Sequence, residues 1–394
     1  MAGLLDIANT WKLVTEMDLR PLREQAERGV RIVLIGKPGS GRHTLADQMR
    51  RDPARPGAEI ATPLPIIGLE KGNQIAHSDL IILVMNALDG DDSLERNLVR
   101  EWLDAGKRIL VVINRAYATA LSQENPEALA LDIEVWKNWG KRDVLVGSVE
   151  DQKFLTTVFV PAVMHLLPEH HLGLARFFPL FRLAVAHHLI NDTCFTNAAY
   201  SLSTGLIEIV PILNIPVNVA DVVVLTKNQV FLVYKLGLAL GLPTDLQSYV
   251  VTFGGVLGAG FFWRQFAHMM VGLIPAWGIV PKVGVAYGGT AVVGNVVLQW
   301  YLTGRHSTRA QMRQLYANAS QKGKQLAARL RSPELRLKSG KREKAKSGLK
   351  PSQVGRQCPG CGRENAPDAS YCQYCGARLN RGEDENRGGG FISH

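Results

Sequence analysis

Cysteine is scarce in this chain, with five in 394 residues, and four of the five fall between Cys358 and Cys375. A secreted disulfide scaffold, with dense and dispersed cysteines, is excluded. Mean hydropathy is zero, too low for a simple polytopic membrane protein. The 46% apolar content likewise excludes a wholly disordered chain. The opening MAGLLDIANTWKL lacks a basic stretch, a long apolar core and a small-residue cleavage site. The expectation is no secretory signal and a cytoplasmic N-terminal part. Charge is nearly missing from 209–304, which holds Asp221, Lys227, Lys235, Asp245, Arg264 and Lys282 and no other charged side chain. Acids are nearly missing from 305–356, where fifteen Lys/Arg face only Glu334 and Glu343. The net charge of +10 therefore belongs to that one stretch.

At this length two or three folded units are expected. Residues 1–29 read as a leading helix. From 30 to 165, short β-branched runs alternate with helical stretches: RIVLIG (31–36), DLIILVMNA (79–87), RILVVIN (108–114) and DVLVGS (143–148). Such runs suit strands buried on both faces of a parallel sheet. An apolar helical region follows at 166–304, then a basic helix and linker at 305–356, a Cys-rich module at 357–380 and a polar tail at 381–394, read as disordered.

RIVLIG runs directly into GKPGSGRHT, where a phosphate-binding loop belongs. Gly36, Gly39 and Gly41 would let the backbone wrap an anion. The pattern calls for Lys and then Ser/Thr after its last glycine, and Arg42 and His43 stand there instead. Thr44 carries a hydroxyl one residue late, about 100° around the helix. On these motifs the domain resembles an Era-like GTPase of the translation-factor class. The resemblance aligns Asn114 with the first residue of the guanine-recognition box and Ser148 with the last box over the base. It also puts Arg115 at the box Lys, Tyr117 at the Asp that pairs with guanine, and Pro65 at the magnesium-linked Asp. The implied fold is a P-loop-like α/β domain with GTP or GDP as its ligand. Phosphoryl transfer needs a positioned metal and positioned charge, and the departures at 42, 43, 65 and 117 make the expectation a pseudo-GTPase with no catalytic residue.

In the apolar region, Arg182, Asn197-Ala198, the segment IVPILNIPVNVAD, Gln229 and Lys235-Leu236-Gly237 resemble the bacterial domain-of-unknown-function family numbered 697. That resemblance implies a membrane-associated all-α domain after a G domain. A bilayer span needs about 20 apolar residues. Residues 283–304 are long enough, while 248–263 are uncharged but short. Gly254/Gly258 and Gly284/Gly288 are spaced for close helix contact. The alternative is a buried soluble core. The adjacent pairs His170-His171 and His187-His188 do not chelate by themselves, since neighbours on a helix point about 100° apart. Cys194 reads as a small core residue.

Residues 305–331 read as a helix with Leu315, Leu326 and Leu330 among Arg/Lys, followed by a flexible cationic linker. Next to an apolar segment, 305–350 would attract anionic lipid; nucleic acid is the rival partner. In CPGCGRENAPDASYCQYCGARL, Cys358/Cys361 and Cys372/Cys375 form two CxxC pairs suited to one structural Zn²⁺. The module resembles short zinc ribbons of bacterial and archaeal membrane and regulatory proteins. These readings converge on a membrane-associated scaffold or signalling protein with an unnamed protein partner, its G domain and ribbon both in the cytoplasm. Two alternatives stay open: a working GTPase that switches membrane attachment, and a membrane tether for nucleic acid.

Overall fold

The computed structural model describes residues 18–55, 57, 59–70, 75, 77–114, 131–139, 143–207, 217–245, 279–304, 307–331, 356–357 and 364–365. The chain divides into two compact units, Met1–Ala328 and Arg329–His394.

The larger unit holds a five-stranded parallel sheet: β1 (Ile32–Ile35), β2 (Ile66–Ile67), β3 (Leu80–Asn86), β4 (Ile109–Asn114) and β5 (Val144–Gly147), in the order β2-β1-β3-β4-β5. The chain winds from β1 to β2 on one side and to β3, β4 and β5 on the other. The switch point therefore lies between β1 and β3, where open parallel sheets place their ligand crevice. The apolar runs read from the sequence hold these strands, and alternate residues face opposite cores. Ile32, Leu34, Ile82, Val84, Leu110 and Val112 face one, while Val33, Ile35, Ile81, Leu83, Val111 and Ile113 face the other.

Helix α1 (Arg20–Glu27) has Pro21 in its first turn, where the missing N–H costs nothing. The residues that carried the leading-helix expectation, Leu4 to Val14, lie outside the described residues. Helix α2 (Arg42–Arg50) follows β1, α3 (Ser93–Asp104) follows β3 and α4 (Ile133–Trp139) precedes β5. Val99 and Trp102 of α3 and Trp136 of α4 cover the second sheet face. A continuous helical stretch then runs from Gln152 through a π turn at Leu155–Phe159 into α5 (Val160–Leu166).

Beyond it come α6 (His171–Phe177), α7 (Arg182–Ile207), α8 (Val217–Ala239), α9 (Ile279–Thr303) and α10 (Arg309–Arg331). Helices α7, α8 and α9 pack on one another. Their core is continuous with the first sheet face, running from Leu34 and Leu45 through Phe159 and Phe181 to Leu232, Leu236, Val297 and Tyr301. The α/β and helical regions, read from the sequence as successive parts, therefore share one interior. Among the described residues no helix is long and apolar enough to cross a membrane. The span candidate 283–304 does form most of α9, but Thr290, Asn295 and Gln299 dilute it. The other candidate, 248–263, lies outside the described residues, as does Gly254/Gly258.

The smaller unit shows two short antiparallel strands, β6 (Arg356–Gln357) and β7 (Glu364–Asn365), with Gln357 opposite Glu364.

Candidate functional site

At the carboxyl end of β1 the chain turns through Gly36–Gly41 into α2. Gly39 and Gly41 have φ of 81° and 97°, the left-handed region where a side chain is strained. A Cβ on Gly41 would also lie 2.2 Å from the Asn114 amide nitrogen. Gly41 is the N-cap of α2 and offers no capping side chain, so the first-turn N–H groups are not capped by that residue.

Asn114 closes β4, and both polar atoms of its amide are bonded within the protein. Its Nδ2 donates to the Ser40 carbonyl at 2.9 Å and its Oδ1 accepts from the Val149 N–H at 3.0 Å. The buried amide thus straps the glycine loop to the turn after β5. Ser148 does not reach the loop; its hydroxyl accepts from the Glu150 N–H in its own turn. The neighbour Val149 is the residue that approaches Gly41 instead.

Both cations of the loop are turned onto the protein. The Arg42 guanidinium donates through Nη1 to the Gly36 carbonyl and, at 2.6 Å, to the Ile67 carbonyl at the end of β2. Its Nε is buried without a partner, as is the Ser40 hydroxyl. Lys37 pairs with Glu95 at 2.8 Å and donates to the Asp91 carbonyl. Glu95 is 3% exposed in the first turn of α3, where a carboxylate also suits the helix dipole. Asp92 accepts from the Trp136 indole at 2.7 Å and from Arg96 at 2.8 Å, fixing the crossover beside the loop. His43 is exposed and Thr44 half-buried in the first turn of α2. Pro65 stands just before β2 and supplies only its carbonyl, which accepts from the Leu34 N–H. Arg115 and Tyr117 lie outside the described residues.

The excursion between α2 and β2 is fastened to the helical layer at three points. Asp52 and Arg182 form a buried ion pair at 3.0 Å, Arg55 donates to the Tyr301 carbonyl, and the Thr62 hydroxyl donates to the Phe177 carbonyl. Inside that layer Asn197, Gln229 and Thr290 meet. Asn197 and Gln229 each donate an amide N–H to the Thr290 hydroxyl, at 2.8 and 3.3 Å. Arg182, Asn197 and Gln229 were singled out from the sequence; their partners Asp52 and Thr290 were not, because no local spacing signals a pairing across the fold.

Among the described residues no group of three or more His, Cys, Asp or Glu could hold a metal ion. Cys358, Cys361, Cys372 and Cys375 lie outside those residues. What is described nearby is the strand pair β6–β7, which brackets Cys358 and Cys361 in sequence.

Fold and loop together define a parallel α/β layer with a glycine loop at its switch point and both loop cations turned onto protein groups. No protein-family model matches the chain, and no curated protein matches it.

Proposed function

We propose that this protein is a scaffold built on a G-domain-like layer that neither holds nor hydrolyses GTP, and that it works at the cytoplasmic face of a membrane. The observation that carries the reading is Arg42. A phosphate-loop cation must face the bound phosphates, and this guanidinium is spent on the Gly36 and Ile67 carbonyls. Lys37 is likewise committed to Glu95. His43 offers no hydroxyl for magnesium, and without positioned metal and charge a phosphoryl-transfer transition state gains no stabilisation. The excursion at 51–62 is tied to the helical layer, which suits a fixed joint better than a moving switch.

At the C terminus, Cys358, Cys361, Cys372 and Cys375 would hold one Zn²⁺ as a closed tetrahedral thiolate site. The bracketing strands β6 and β7 are consistent with the first CxxC pair lying on a knuckle. The metal supplies folding free energy to a module too small to bury its own core.

One observation favours a second reading, a working GTPase. The left-handed Gly39 and Gly41 and the Asn114 strap keep the loop in an anion-ready shape. Phosphate release from GTP with magnesium separates the two. Full-length protein is expected to give no release above a buffer blank. Magnesium-dependent turnover that disappears in Asn114→Ala would establish the GTPase instead.

A further inference from the structure

We infer that the outward face of α10 is a landing surface for an anionic lipid bilayer. The inference rests on the membrane reading above and names its surface and lipid class. Arg309–Arg331 carries six Lys/Arg and no Asp or Glu, so the helix adds positive charge with nothing to offset it. Its two sides differ sharply. Ala319, Gly323 and Ala327 are buried at helical spacing, with Leu315, Tyr316 and Leu326 half-buried beside them. Arg313, Lys322 and Lys324 are exposed on its flanks, with the exposed amides Asn318, Gln321 and Gln325 between them; the Lys324 stem lies along α9, its Cγ 3.0 Å from where a Cβ on Gly284 would stand.

The seam beneath holds the helix close against α9. A Cβ on Gly323 would lie 2.7 Å from the Tyr287 Cβ and 3.1 Å from the Gly284 Cα. One on Gly288 would lie 3.0 Å from the Tyr316 ring and from the Ser320 Cβ. Gly284 and Gly288 were expected from their spacing to allow a close helix contact, and α10 is the helix that makes it. Ser307 adds a hydrogen bond to Gln299 at 2.6 Å where the chain doubles back. With glycine on both sides of the contact the two helix backbones nearly touch.

Charge alone would suit either a bilayer or a nucleic acid. Relief and composition favour the bilayer. A helix that reads duplex DNA must project into a major groove about 12 Å wide. The glycine seam holds α10 close against α9, and a plane of headgroups asks for no projecting helix. The one aromatic of the helix, Tyr316, is turned onto Gly288, so the outward face offers no ring for base stacking. Among the described side chains of α10, the exposed ones include no large apolar residue. Attachment is therefore electrostatic, without insertion, and is screened beyond about 8 Å at physiological salt.

A Lys or Arg near an anionic surface is worth roughly five-fold in affinity, so three together give on the order of 100-fold. The test is co-sedimentation of the full chain with vesicles of phosphatidylcholine alone or mixed with phosphatidylglycerol, with a DNA duplex assayed in parallel. The variant is Arg313→Gln/Lys322→Gln/Lys324→Gln, all at exposed positions, with thermal melting to check its fold. The wild-type chain is expected to bind only the mixed vesicles, to come off at high salt, and to bind them on the order of 100-fold more tightly than the folded variant. Equal binding by the variant, or equal binding to neutral vesicles, overturns the surface while leaving the membrane reading intact. Binding to neither vesicle overturns both. Duplex binding that depends on the three residues, without vesicle binding, makes nucleic acid the partner and overturns the proposal.

Discussion

Asp52 and Arg182, 130 residues apart in sequence, join the excursion after α2 to the start of α7 through a 3.0 Å ion pair that solvent barely reaches. The Asp52 carboxylate also accepts from the Ala54 N–H at 3.0 Å, so both of its oxygens are used. A buried charge left without its partner is costly, typically about 3–5 kcal/mol, whereas removing both charges together costs far less. Asp52→Leu is therefore expected to destabilise Met1–Ala328 by about 3–5 kcal/mol, and Asp52→Leu/Arg182→Met to recover most of that loss. Urea denaturation of the single and double variants measures both. Additive losses in the double variant would show that the residues act independently.

His171 gives a pH dependence. Burial pushes its pKa below the usual histidine value, and the neighbouring His188, in edge contact at 4.8 Å, pushes the same way. A hydrogen bond between Nε2 and the Met164 carbonyl at 2.9 Å opposes them but does not reverse the shift. A histidine with a depressed folded pKa binds its proton more readily when unfolded. Its stabilisation is complete above the unfolded value near 6.5 and falls as pH drops toward the folded one. Stability is expected to decline from pH 7 toward pH 5, with a smaller decline in His171→Gln. Denaturant midpoints across that range check it, and an identical slope in the variant would remove His171 from the account.

The cysteines should separate into two behaviours. Burial pushes the Cys194 thiol up to about 12, so in the native protein it should resist alkylation and react only after denaturation. Purified under reducing conditions, the full chain is expected to carry one zinc, held by the remaining four cysteines. Cys372→Ala should lose the metal and leave the melting of Met1–Ala328 unchanged. Less than half an equivalent of zinc in the wild-type chain would contradict the ribbon.

The sheet was legible in the sequence because strands buried on both faces must be apolar at every position, and RIVLIG, DLIILVMNA, RILVVIN and DVLVGS are nearly so. The glycine loop was legible for a similar reason: left-handed backbone at Gly39 and Gly41 leaves little choice of residue. β2 was not, since two isoleucines among prolines carry no periodicity. The direction of Arg42 was also hidden. Its identity showed that the loop departs from the usual pattern, but the Ile67 carbonyl that receives it arrives only when β2 pairs with β1. Asn114 was recognisable, yet its strap to Ser40 spans 74 residues and exists only in the folded sheet.

The central claim is that the glycine loop holds no nucleotide because its own cations are already bound to the protein. Equilibrium titration of the full chain with fluorescent GTP, GDP and ATP, with and without magnesium, tests it most directly. The expected result is no saturable binding of any of the three at micromolar concentrations. Saturable, magnesium-dependent binding of guanine nucleotides in that range would contradict it, and Arg42 would then have to leave the Gly36 and Ile67 carbonyls to meet the phosphates.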